Sequence, residues 1–164
     1  MPGGMKVDGI EEISKALARL GDEAGAVAAR ALYYGAGIVA NEISAAVDDL
    51  ETEKFRIADD SNPRKCSPLE KAVLRGRMSG IAKFDREGAE VSTSVGLKNA
   101  GYAMLAGREV PLPLLARSIN SGTTFRVKQP FFRKAVNKAR GVASQRIADE
   151  VGKAVEKLFG NFQE

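Results

Sequence analysis

Carboxylates, hydroxyls and glycines are this chain's openings for chemistry, and each can be held against the spacing that its chemistry needs. Asp48-Asp49 with Glu51 and Glu53, and Asp59-Asp60 further on, offer enough oxygen for a divalent cation. No glycine and terminal glutamate follow at EF-hand spacing, so these acids read as solvated helix ends and loops. Ser121-Gly122-Thr123 carries two hydroxyls but has no G-x-S-x-G context. The chain contains no histidine, which removes the commonest general base and the commonest transition-metal ligand. Serine triads and most zinc sites are therefore not expected. Gly35-Ala36-Gly37 begins a G-x-G pattern, lacks the third glycine and falls inside a helical stretch. No Gly-Lys-Ser/Thr occurs for a P-loop. The expectation is a protein that is not an enzyme, with no cofactor and no metal.

Recognition chemistry is better represented. Between Ser118 and Arg140, Phe131 and Phe132 stand among Arg126, Lys128, Arg133, Lys134, Lys138 and Arg140. Basic residues interleaved with aromatics suit the stacking of single strands, although no recognised nucleic-acid motif accompanies them. Gly122 reads as a turn residue with positive φ, with Thr123 bonding backbone across the turn. Pro130 precedes the first helical turn, where its missing N–H costs nothing. The two rings lie about 100° apart on that helix. Either both cover one edge of the core, or one is buried and its neighbour faces a partner. Phe132 shares a stripe with Ala135, Val136 and Ala139 and is the ring expected inside, leaving Phe131 for assembly. Arg126, Lys128 and Arg133 are expected at the surface.

Composition bounds the partners. The chain has 164 residues, 44% of them hydrophobic, enough for one domain (1–164) with a real core. No apolar run approaches the roughly 18 residues of a membrane span, and residues 1–6 have no apolar leader region. Cys66 is the only cysteine, which excludes an internal disulfide and suits a reducing cytoplasm. Net charge is +4 but graded: residues 1–50 hold four Lys/Arg against eight Asp/Glu, residues 51–100 ten against eight, and residues 101–164 eleven against five. That gradient favours an acidic partner such as nucleic acid, or contact between opposite ends of neighbouring copies. Solvated helix faces would produce it too.

Several elements must position these groups. Ile10, Ile13, Leu17 and Leu20 keep helical spacing after an Asp8 cap, and Gly21 is expected to end that helix. A second helix is expected from Asp22 to about Leu50, its Gly25, Gly35 and Gly37 marking either a kink or a close approach. Residues 51–68, rich in Asp and Pro, read as a flexible loop. Leu69 to Leu74 would form one helical turn or lead directly into a strand. Arg77–Phe84 and Ala89–Leu97 alternate as a hairpin joined through Asp85-Arg86-Glu87-Gly88. Residues 98–112 read mainly as loop, with a short helical turn over 102–106. Leu114–Ile119 is expected to add a third strand, and the last helix runs from Pro130 to about Phe159. The fold class is α+β: a small, mainly antiparallel sheet packed with long N-terminal and C-terminal helices.

The Gly122-Thr123 turn, a loop of about five residues, then Gln129-Pro130-Phe131-Phe132-Arg133-Lys134-Ala135 opening a terminal helix resembles a known family. It is similar to the tail-completion or head–tail joining (neck) proteins of long-tailed bacteriophages and prophages. The family's usual acidic residue before Gly-Thr appears here as Asn120, and its Gly-x-Leu-Arg segment only as Leu74-Arg75. The resemblance implies a structural assembly protein, made in the bacterial host cytoplasm and built into the virion neck or tail. It implies a homo-oligomeric ring touching neighbouring connector and tail proteins, with non-specific contact to DNA and none to membrane. Gly122, Thr123, Pro130, Phe131, Phe132 and Arg133 would form its assembly motif, and Arg126, Lys128 and Lys134 its partner- or DNA-facing bases. The alternative from composition is a small basic nucleic-acid-binding or regulatory protein.

Overall fold

Apolar residues recur at three- and four-residue steps from Ile10 to Val47, and in the computed structural model the backbone follows them without a break. The structure describes residues 10–54, 57–87, 90–97 and 101–160. Helix α1 spans Ile10–Asp48, 39 residues and about 58 Å long. The expected stop at Gly21 is not there. A single glycine costs a helix about 1 kcal/mol, too little to divide one this long. The cap expected at Asp8 lies outside the described residues.

The last helix, α4 (Phe131–Gly160), runs antiparallel along α1. Arg146 stacks 4.9 Å from the Tyr34 ring, and Lys138 reaches Glu42 at 2.8 Å. In both pairs the residue numbers sum to 180. The seam between the helices is made of small side chains, Ala31, Ala36 and Ala40 against Ala139 and Ala143, all nearly inaccessible. Gly35 belongs to this seam. A Cβ there would lie 2.6 Å from Ile147 Cδ1, so of its two readings close approach is the one observed.

At the C-terminal end of α1 the remaining elements gather. Helix α2 (Pro68–Arg77) is a full ten residues rather than one turn. Strands β1 (Met78–Glu87) and β2 (Glu90–Leu97) form the expected antiparallel hairpin against α1. Its connection is shorter than expected, because Asp85, Arg86 and Glu87 pair with Ser92, Val91 and Glu90. Residues 88 and 89 lie outside the described residues.

A second hairpin, β3 (Tyr102–Leu105) and β4 (Arg108–Pro111), occupies the stretch expected to be loop and helical turn. Ala106 and Gly107 both have positive φ, 49° and 77°, the backbone of a two-residue type I′ turn. Ala106 stands where Asn is usual, at a strain of about 1 kcal/mol, so the sequence carries no Asn-Gly signal.

The third strand expected at Leu114–Ile119 is helix α3 (Leu112–Ser121). Pro111 and Pro113 flank its first residue, positions where a lost N–H is harmless. Leu112, Leu115 and Ile119 are buried at helical spacing while Leu114 is 58% exposed. A strand would have put Leu115 and Leu114 on opposite faces as well, but could not place Leu112 and Ile119 together with Leu115. Among the described residues the fold is therefore α+β with two separate two-stranded antiparallel sheets. One core joins them, built on Ile43, Val47, Leu50, Cys66, Leu74, Leu105, Leu115, Ile119, Phe131 and Ala135.

Candidate functional site

The segment from Asn120 to Phe132 carries the sequence motif, and the fold ties it down at nearly every residue. Gly122 closes α3 with φ 74°, donating its N–H to the Ser118 carbonyl at 3.0 Å. A Cβ on it would lie 2.9 Å from Lys128 Cβ and 3.1 Å from Lys128 backbone atoms. Thr123 and Arg126 exchange backbone hydrogen bonds at 3.1 Å, so the turn expected of Thr123 closes through its main chain. Gln129 donates its backbone N–H to Ile119 at 2.9 Å. Its side chain clasps Glu51, accepting that residue's N–H at 2.9 Å and donating to its carbonyl at 3.0 Å. Asn120 accepts the Phe132 N–H at 3.1 Å, satisfying an orphan donor at the start of α4. Gly122→Ala is expected to destabilise the protein by about 2 kcal/mol, from the left-handed backbone and the approach of Lys128. A thermal melt equal to wild type would show that the turn tolerates a side chain.

The rings are placed the other way round from the expectation. Phe131 is 5% exposed and joins the core, whereas Phe132 is 40% exposed. The buried stripe of α4 is 131, 135, 139 and 143; it shares Ala135 and Ala139 with the stripe drawn through Phe132 but places Phe131 inside.

Arg126 also departs from its expected place. Its side chain is 11% exposed and turns inward to Glu70. Arg126 Nη1 and Nη2 donate to the two carboxylate oxygens at 3.0 and 2.9 Å, and Arg64 makes a second bidentate pair at 3.2 and 3.0 Å. The Ser67 N–H donates to the same carboxylate at 2.9 Å, and the Ser67 hydroxyl accepts the Glu70 N–H at 3.2 Å, a capping box that starts α2. Backbone bonds from Arg64 to Phe125 and from Val127 to Arg64 set both arginines at one height. Burial alone would raise the Glu70 carboxyl. The donors from Arg126, Arg64 and Ser67 outweigh it and hold the group at about 2. Burial, aided by the Glu70 charge, pushes the neighbouring Cys66 thiol up to about 11, so it stays protonated and unreactive at neutral pH.

Lys128, Arg133 and Lys134 are exposed as expected. Lys128, Lys134 and Lys138 line an open groove of about 500 Å³ between the end of α1 and the start of α4. Glu42, Asp49 and Glu51 line it too, so the groove is balanced in charge rather than a basic track. A further groove, of about 1110 Å³, lies between α2, α3 and the β3–β4 turn, over Leu105 and Leu115.

Arg64 and Glu70 were not singled out from the sequence, and Asn120 and Gln129 entered only as parts of the resemblance, without these contacts. The Ser67-x-x-Glu70 capping pattern was a legible signal for one of them; the contacts of the others depend on tertiary proximity. Among the described residues no group of three metal-ligating side chains converges, and no helix is long and apolar enough to cross a membrane. Compared with known proteins, the chain matches no family model, no curated protein and no solved structure.

Proposed function

We propose that this chain is a structural subunit of a phage or prophage particle, acting at the neck or tail end. The observation that carries the reading is the strap from Asn120 to Phe132. Its turn, its Pro130 and its ring pair launch α4, and its polar groups are engaged in holding the strap to α1, α2 and α3. Polar groups engaged in this way support a role in holding surfaces together rather than in turning over a substrate. In this reading Phe132, Arg133 and Lys134, exposed on the first turn of α4, meet a neighbouring protein. Phe131 and Arg126 support the strap from within.

A null allele is expected to leave filled heads and abnormal or unjoined tails, and added protein is expected to restore infectious particles in an extract. Lys128→Glu, Arg133→Glu and Lys134→Glu together should block joining with little loss of fold, since all three are exposed and act by charge. Electron microscopy of lysates decides the matter: normal joined virions from the null allele overturn the assembly reading. The basic C-terminal third supports nucleic-acid binding as the second reading. That reading requires an affinity for DNA that falls steeply with salt in the isolated protein.

A further inference from the structure

Hairpin β3–β4 has two edges, and only one of them is guarded. Its turn makes Leu105 and Arg108 the first pair of the ladder, the pair that exchanges both backbone hydrogen bonds. Alternation assigns the next exchanging pair to Ala103 and Val110. The Leu112 N–H, donated to the Gly101 carbonyl at 2.8 Å, keeps the same alternation one step further on. The N–H and C=O groups of Tyr102 and Met104 therefore point away from β4. On the opposite edge the backbone groups of Glu109 and Pro111 point away from β3.

The β4 edge is closed to a further strand. Pro111 has no N–H to give, Glu109 brings a charge, and the chain turns at once into α3. The β3 edge has none of these guards. Tyr102-Ala103-Met104-Leu105 contains no charge and no proline, and its register runs without a bulge. Among the described residues no hydrogen bond reaches the outward groups of Tyr102 or Met104. Their side chains are 64% and 61% exposed, on the hairpin face opposite the buried Leu105. An uncharged edge that shows a tyrosine and a methionine to water is a template for strand pairing.

We propose that β3 pairs antiparallel with β3 of a second copy, joining the two hairpins into one continuous sheet. The edge itself selects this occupant. A two-fold axis through Ala103 sets Tyr102 of each copy opposite Met104 of the other, and every outward group of both residues is then paired. Each thioether lies beside a tyrosine ring, a favourable sulfur–aromatic contact. At the axis the two Ala103 residues face each other as a non-hydrogen-bonded pair, with Cα atoms about 4.5 Å apart, a spacing that suits a small side chain. The strand carries no charge, so the two-fold brings no like charges together within it. The contact joins identical surfaces and closes at two copies, unlike the head-to-tail contacts that build rings, so it goes beyond the assembly reading. One short strand from each copy buries well under the roughly 1,200 Å² of a stable interface. The pair is therefore weak, with a dissociation constant on the order of 10–100 µM.

Sedimentation of the full-length protein from about 5 to about 500 µM provides the first test. Wild type is expected to form a reversible dimer across that range. Tyr102→Lys with Met104→Lys sets like charges opposite each other in this register and should weaken pairing roughly 30-fold or more. Tyr102→Glu with Met104→Glu should do the same, and an equimolar mixture of the two variants should recover the dimer. Circular dichroism confirms that each variant is folded. A second test needs neither of them. Ala103→Cys should give a covalent dimer when diamide takes up the two thiol hydrogens, since facing positions at the axis have the Cα spacing of a disulfide. Glu109→Cys, exposed on the outer strand, should not cross-link, and the buried Cys66 does not compete. A wild type that stays monomeric at about 500 µM overturns the proposal and leaves the edge to a strand from a different protein. Association that the lysine pair leaves untouched belongs to another surface and overturns it too. So does a cross-link that forms at 109 as readily as at 103. The assembly reading is judged on the lysates and does not depend on any of these results.

Discussion

Replacement of Glu70 by alanine is expected to cost about 3–5 kcal/mol of folding stability, among the largest losses available to one substitution here. The carboxylate is 8% exposed and accepts four hydrogen bonds from Arg64 and Arg126, whose side chains are 18% and 11% exposed. Deleting it leaves two guanidinium groups of like charge side by side in a poorly hydrated site. The start of α2 also loses its reciprocal cap with Ser67. Removal of one arginine is milder, since Arg126→Met leaves Glu70 its bidentate pair with Arg64. Replacing all three residues by apolar ones of similar volume should recover much of the loss, because the charges then need no compensation. Urea denaturation of these variants measures the ordering. A Glu70→Ala midpoint close to wild type would mean that the clamp contributes nothing.

The same carboxyl fixes the sign of an acid response. Its pKa is about 2 in the folded protein against an ordinary 4.5. The unfolded chain therefore takes up the proton first as pH falls. The clamp's contribution is complete above about pH 4.5, erodes between there and pH 2, and is absent below. The difference is worth about 3 kcal/mol. Glu70→Gln removes this titration, so the gap in stability between wild type and variant should narrow across that window.

Phe131→Ala is expected to destabilise the protein by about 3–5 kcal/mol, with Phe132→Ala costing less than about 1 kcal/mol. Phe131 is 5% exposed and packs in the cluster of Val47, Leu50, Leu74 and Ile119, whereas much of the Phe132 ring faces water. The Phe132 variant should instead lose particle assembly while melting like wild type. Equal midpoints for the two variants would place both rings on one core edge.

These rings show where the sequence ran out. The stripes 131-135-139-143 and 132-135-136-139 share their alanines, so helical periodicity admits both phases. Only the ring's packing with the α1 end decides between them. The two long helices, the β1–β2 hairpin and the α+β class follow from periodicities long enough to outweigh local exceptions. Short elements were misread where a local signal misleads: an alanine in a left-handed turn hid β3–β4, and the short apolar segment after Pro113 looked like a strand. The Glu70 clamp was invisible for another reason. Arg64 and Arg126 lie 62 residues apart in sequence, and nothing in the chain pairs them before the fold does.

The antiparallel seam of α1 and α4 also sets a delay during synthesis. Tyr34 and Arg146, which meet across it, are separated by 112 residues. A ribosome adding about 5–20 residues per second emits α1 roughly 6–20 seconds before its partner positions. Throughout that interval the alanine face of α1 has no α4 to close on. The nascent chain must pass through this period with that face of α1 uncovered, and it is α4 that ends it.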